Sequence, residues 1–131
     1  MKPDVLRAGH AVFYVTDLAK AKGFYAGLLG LDVVHEDASA LYLRGYEERE
    51  WSLKLEARKE AGAGRIAFKV AHEDDLDGVL ALAARRGLEA KEEEDWGVPR
   101  IVRLQDPSGL PVAFYAGAAK HERLLQRYHL Q

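Results

Sequence analysis

His10-Ala11-Val12-Phe13-Tyr14-Val15-Thr16-Asp17-Leu18 is the stretch on which the fold of this chain turns. It opens as an apolar run of strand type. It closes on Thr-Asp-Leu, a helix-start signal in which Asp17 can serve as N-cap. A related stretch returns as Arg65-Ile66-Ala67-Phe68-Lys69-Val70, followed by Glu73-Asp74-Asp75-Leu76. The chain therefore reads as one supersecondary unit written twice, with His10 opening the first copy and Arg65 the second.

Working outward, residues 6–15 read as a strand, and 18–29 as a helix carrying Leu18, Ala21, Phe24, Tyr25, Leu28 and Leu29 at helical spacing. Gly30 sits where a helix ends in αL. Strands follow at 31–36, 40–45 and Trp51–Glu56, with Glu47–Glu50 as a solvated turn and 57–64 as a linker. The second copy gives a strand at 65–70 and a helix at 73–86. Further strands lie at 88–92 and 100–105, around a polar loop with Trp96 and Pro99. Lys91–Asp95 reads as solvated loop. Asp106-Pro107-Ser108-Gly109 has the chemistry of a type I turn, and 110–116 is the last strand. Residues 118–128 look like a terminal helix, with Leu124, Leu125 and Tyr128 on one side and His121, Glu122 and Arg123 exposed.

The order is βαβββ twice. The expected fold is α+β: one domain over 1–116, with module one at 6–57 and module two at 64–116, and a helical tail over 117–131. The two modules are expected to form one curved eight-stranded mixed sheet, a cup with both helices on its convex face.

Bulk properties bound the function. The chain has 131 residues, 48% hydrophobic and 31% charged, with net charge −2 and no cysteine. That excludes disulfides and thiolate metal sites and gives no reason to expect nucleic acid as a partner. No run approaches the length of a membrane span, and Met1-Lys2-Pro3-Asp4 leads into no signal-peptide core, so the expected home is the cytoplasm. Ser39, Ser52 and Ser108 lie in no nucleophile motif, and Gly62-Ala63-Gly64-Arg65 precedes a strand, not the helix a phosphate loop needs.

Strand alternation sorts side chains between the faces. Ala11, Phe13, Val15, Leu41, Leu43, Leu53, Leu55, Ile66, Phe68, Val70, Val112 and Phe114 should face the helices. The cup should receive the complementary set, and within it the candidate ligand-binding residues are His10, Tyr14, Lys54, Arg65, Lys69, Arg103 and Tyr115. With Arg44, Lys54, Arg65, Lys69 and Arg103 set against Glu56, the cup could accept an anion. The competing reading is that these cations pair with nearby carboxylates.

The motifs His10-Ala-Val-Phe-Tyr-Val-Thr-Asp-Leu, Phe24-Tyr-Ala-Gly-Leu-Leu-Gly-Leu, Gly64-Arg-Ile-Ala-Phe-Lys-Val and Asp106-Pro-Ser-Gly-Leu-Pro-Val-Ala-Phe-Tyr resemble the vicinal oxygen chelate superfamily. That superfamily includes glyoxalase I, bleomycin-resistance proteins and extradiol dioxygenases. Ala40-Leu-Tyr-Leu-Arg-Gly-Tyr-Glu-Glu and His121-Glu-Arg-Leu-Leu-Gln-Arg-Tyr are similar to the amino-terminal half of homoprotocatechuate or catechol 2,3-dioxygenases. The resemblance implies that Fe(II) or Mn(II) chemistry belongs to a second cup that this chain does not contain. The family's metal-ligand positions map onto His10, Lys54, Arg65 and Ala113. Of these only His10 offers a lone pair at neutral pH, so no bound cofactor and no catalytic residue are expected here.

Three functions follow. The chain is a metal-free half-domain of extradiol-dioxygenase type, or a bleomycin-resistance-type module binding a small aromatic or anionic molecule, or a metal-dependent enzyme completed by oligomerisation. A symmetric partner would bring the same Lys54, Arg65 and Ala113, which weakens the third. Free sheet edges make a homodimer or a partner catalytic half plausible.

Overall fold

Asp17 turns the first strand into the first helix: its side chain accepts from the Lys20 N–H at 3.1 Å. The computed structural model describes residues 2–124. Its elements are β1 (Val5–Val15), α1 (Leu18–Lys22), β2 (Asp32–Glu36), β3 (Ala40–Arg44), β4 (Leu53–Ala57), β5 (Gly62–Val70), α2 (Glu73–Arg85), β6 (Lys91–Asp95), β7 (Val98–Gln105) and β8 (Pro111–Tyr115). α1 widens into a π-helical turn over Gly23–Leu28, where Leu29 N–H reaches back to the Phe24 carbonyl. Gly30 then ends it with φ of +81°. At the start of α2 the Asp75 carboxylate accepts from the His72 N–H, and Glu73, Asp74 and Asp75 complement the positive end of the helix.

Hydrogen bonding links eight strands in the order β2-β3-β4-β1-β5-β8-β7-β6. β1 is parallel to β4 and β5 to β8; the β2–β3, β3–β4, β6–β7 and β7–β8 pairs are antiparallel. The doubled βαβββ order is therefore present, and the repeat extends to register. Phe13 lies opposite Leu55 as Phe68 lies opposite Phe114, and Val12 opposite Lys54 as Ala67 opposite Ala113.

The chain divides into two compact units. One gathers His10–Gly64 with the residues from Lys120 on; the other gathers Arg65–Ala119 with the residues up to Gly9. In the first, Leu41, Leu43 and Leu55 are buried against Leu18, Ala21 and Tyr25. In the second, Val70 and Val102 are buried with Leu76 and Val79 of α2, and Phe114 packs against them. Each fully buried leucine here is worth about 1.5–3 kcal/mol. Of the apolar strand set, Val15, Leu41, Leu43, Leu53, Leu55, Val70 and Phe114 thus lie in the helix-packed cores. Phe13 and Ile66 stay 38% and 49% exposed. α1 packs chiefly on β3 and β4, and α2 on β7 and β8, and β1 and β5 join those cores at their ends, through Val15 and Val70.

The structure departs from the sequence reading elsewhere. β6 is Lys91–Asp95, a highly charged edge strand that starts three residues later than the expected strand at 88–92 and runs on through residues expected as loop. Trp96-Gly97 is a two-residue turn with Gly97 at φ +72°, and Pro99 belongs to β7 ahead of the part that pairs with β8. β5 starts at Gly62, inside the expected linker, because Gly64 lets the backbone approach Val12 and Tyr14; a Cβ there would lie 2.9 Å from either. Glu50, expected in solvent, is buried and paired with Lys120. Residues 117–123 carry no helix, and the remainder of the expected terminal helix beyond 124 lies outside the described residues.

Gly9 packs directly on Tyr115, where a Cβ would stand 2.1 Å from the phenol oxygen. Gly9→Ala is expected to destabilise the chain by about 1–3 kcal/mol in urea unfolding, since the buried ring has nowhere to move.

Candidate functional site

β1 places His10, Val12 and Tyr14 on one face by alternation. In the His10–Gly64 unit that face is packed, not open. Val12, Tyr42, Arg44 and Trp51 are each no more than 3% exposed, with His10 at 4%. The Trp51 ring lies 4.2 Å from the His10 ring at a tilt of 34°, and meets Tyr42 edge-on at 5.0 Å. Lys54 reaches over the Tyr42 ring, 5.3 Å from its centroid, and its Nζ is 3.1 Å from Glu56 Oε1. Glu56 also holds Arg58, whose guanidinium covers the Tyr14 ring at 4.6 Å. Burial pushes the Glu56 carboxyl up, but the hydrogen bonds from Arg58 and Lys54 outweigh it and hold the group below the usual carboxylate range.

The other unit repeats the theme. Arg65 NH2 binds Asp95 Oδ2 at 2.9 Å, with the two side chains only 11% and 7% exposed. Asp95 Oδ1 takes the Trp96 N–H at 2.7 Å. Ala67 and Ala113 are fully buried opposite one another. Lys69 is half-buried, opposite Tyr115 in register, and Tyr115 is fully buried. Arg103 NH2 lies 2.7 Å from Glu93.

The structure therefore brings His10, Tyr14 and Lys54 together in one unit, and places Arg65, Lys69, Arg103 and Tyr115 in the other. Most cations expected to receive a ligand already hold a carboxylate: Arg44 with Asp32, Lys54 with Glu56, Arg65 with Asp95, Arg103 with Glu93. Lys54-x-Glu56 was readable, since residues two apart on a strand share a face. The other three partners depend on strand pairing, which no local pattern shows. Trp51 was missed as well. Alternation would put it beside Leu53 and Leu55 on the helix side, but residues 51 and 52 precede the strand proper and the parity breaks there.

This donor set does not fit a divalent cation. His10 and Lys54 in one unit, and Arg65 and Ala113 in the other, provide one imidazole, two protonated bases and a methyl. The His10 ring is covered by Trp51, and both bases are ion-paired. Among the described residues no group of three His, Asp or Glu could hold a metal. A hollow of about 450 Å3 lies at the end of α2, lined by Leu88, Lys91, Arg103, Leu104 and Pro111, with its cations balanced by Glu89 and Asp106. Arg103 alone of the candidate residues reaches it. No helix among the described residues is long and apolar enough to cross a membrane.

Two βαβββ modules with parallel β1–β4 and β5–β8 pairs define a domain of vicinal oxygen chelate type. The chain belongs to the Glyoxalase/Bleomycin resistance protein/Dioxygenase superfamily, whose profile matches residues 7–114. An extradiol ring-cleaving dioxygenase from Brevibacterium fuscum is similar at a TM-score of 0.93 and 36% identity, covering 98% of this chain and 37% of that one. Homoprotocatechuate 2,3-dioxygenase from Arthrobacter globiformis gives 0.93 and 34%, covering 99% and 42%. A manganese-dependent 2,3-dihydroxybiphenyl 1,2-dioxygenase from Geobacillus genomosp. 3 is 23% identical over 92% of this chain and 39% of its own length. The chain thus spans about two-fifths of the length of these relatives.

Trp51→Ala removes the indole that packs His10 and Tyr42, and is expected to lower stability by about 3–5 kcal/mol in denaturant melts. Glu56 sets an acid limb. Its carboxyl sits below its ordinary 4.5 in the folded state, so its contribution is full above that pH and is lost as pH falls through the lowered value. Glu56→Gln should flatten that limb in a series of melts taken across acid pH.

Proposed function

We propose that this chain serves as a non-catalytic, metal-free scaffold domain of extradiol-dioxygenase type, the counterpart of the amino-terminal half of the homoprotocatechuate 2,3-dioxygenases it resembles. One observation carries the reading. Two positions where the family resemblance puts metal ligands hold cations, and each cation is neutralised by its own carboxylate, Lys54 by Glu56 and Arg65 by Asp95. A divalent ion would have to displace a salt bridge and then sit beside a positive charge. The similarity supports the same reading, because it takes in nearly all of this chain but about two-fifths of the ring-cleaving enzymes.

In this role the domain supplies fold and surface while the chemistry lies with a catalytic half. That half is either carried on another segment or brought by a partner chain of different sequence, since a second copy of this chain would bring the same Lys54, Arg65 and Ala113. The bleomycin-resistance-type reading has less support, since Arg44, Lys54, Arg65 and Arg103 are engaged with acids.

Incubating the purified chain anaerobically with Fe(II), and separately with Mn(II), then desalting and measuring metal by mass spectrometry tests the proposal. Fewer than about one metal per ten chains is expected. No ring-opened product should form from dihydroxyphenylacetate and oxygen. Near-stoichiometric metal, or yellow ring-cleavage product from this chain alone, would contradict it.

A further inference from the structure

After Ala119 the chain runs against the Arg44–Glu50 segment of the His10–Gly64 unit. His121 N–H donates to the Arg49 carbonyl at 2.7 Å, and Arg49 Nε donates back to the His121 carbonyl at 3.2 Å. Arg44, 2% exposed, gives NH1 to the carbonyls of Glu122 at 2.7 Å and Glu48 at 3.1 Å, while its Nε holds Asp32 at 2.9 Å. Lys120 pairs with the buried Glu50 at 3.2 Å, and Leu124 is 1% exposed. Five consecutive residues are thus seated by hydrogen bonds at 121 and 122, with an ion pair and a buried leucine at their ends.

His121 puts a titratable ring in the middle of that seat. Its Nε2 is shut off from water. The charged groups around the seat are Arg44 from β3, Asp32 from β2, Arg49 and Glu50 from the segment ahead of β4, and Lys120 and Glu122 on the same stretch. We propose that Lys120–Leu124 is a proton-released strap: docked on Arg44 and Arg49 while His121 is neutral, and lifted from them when the imidazole takes up a proton.

The direction follows from linkage. Burial first, then the Arg44 guanidinium, oppose the imidazolium, and Asp32 offsets them only in part, so docked His121 titrates below its ordinary 6.5. Released into water the ring returns to that ordinary value, so release takes up a proton. The docked form keeps its full advantage above pH 6.5 and loses it as pH falls toward the lowered value, by up to about tenfold per pH unit. Below the docked value the loss levels off.

Amide exchange by NMR on the whole chain tests this, with protection at His121 corrected for intrinsic rate at pH 7, 6 and 5. The amides of Ala11 and Leu31, bonded to the carbonyls of Ser52 and Tyr25, report on the body of the same unit. Protection at His121 should fall steadily from pH 7 to pH 5 while the two body amides hold. His121→Gln should keep the strap protection flat with pH. The imidazole proton shift, followed in the same samples, should titrate below 6.5; this readout decides the matter if the glutamine variant is undocked at every pH. Three results overturn the proposal: His121 protection unchanged by pH, an equal drop in the glutamine variant, or an imidazole titrating at or above 6.5. A parallel collapse of the body amides would overturn it too, since that is global acid unfolding.

Discussion

A cation taken out of water must be met by an opposite charge, and on the inner strands of this domain that requirement leaves little room for anything else. Lys54 and Arg65 each have a carboxylate within 3.1 Å. Removing one partner of such a pair strands the other, at roughly 3–5 kcal/mol. The carboxylates that might have served a ligand or a metal are therefore committed to the fold. Arg44 follows the same logic, satisfied by Asp32 and by two backbone carbonyls. What could have been a polar receptor surface is an internally balanced one.

Beneath those charges the two modules share a plan. Both set a parallel pair of strands at their first and last positions, both cap the following helix with an acid, and both end that helix on a glycine in the left-handed region. The plan tolerates different contents. Module one fills its inner face with Trp51, Tyr42 and His10; in module two Arg65 stands where His10 does, and Ala67 and Ala113 stand where Val12 and Lys54 do. Membership of the superfamily speaks for the scaffold, while chemistry depends on the donor atoms placed upon it. Here the placed atoms are an indole, two methyls and two paired cations.

The scaffold was legible in the sequence because its signals are local. Asp17 and Gly30 mark helix ends by conformational preference, and the alternation in Leu41–Leu43 and Leu53–Leu55 reports which side meets a helix. The candidate residues were legible as individuals and not as a constellation. His10, Lys54 and Arg65 were placed on the correct strands. That Asp95 would close on Arg65 depends on a hairpin folding back at Trp96-Gly97, and that Trp51 would cover His10 depends on a break in strand parity two residues before Leu53. The charged run Lys91–Asp95 misled for a related reason: an edge strand carries charges to resist pairing with a neighbour, and in composition it looks like a loop.

If the inner cations are structural, Arg65 and Asp95 must be energetically coupled. A double-mutant cycle on unfolding free energy, with Arg65→Met, Asp95→Asn and both together, measures that coupling directly. The account predicts an interaction energy of at least about 1.5 kcal/mol, as for contacting charged groups with little exposure. Additivity within about 0.5 kcal/mol would contradict it, because it would leave Arg65 available to a ligand.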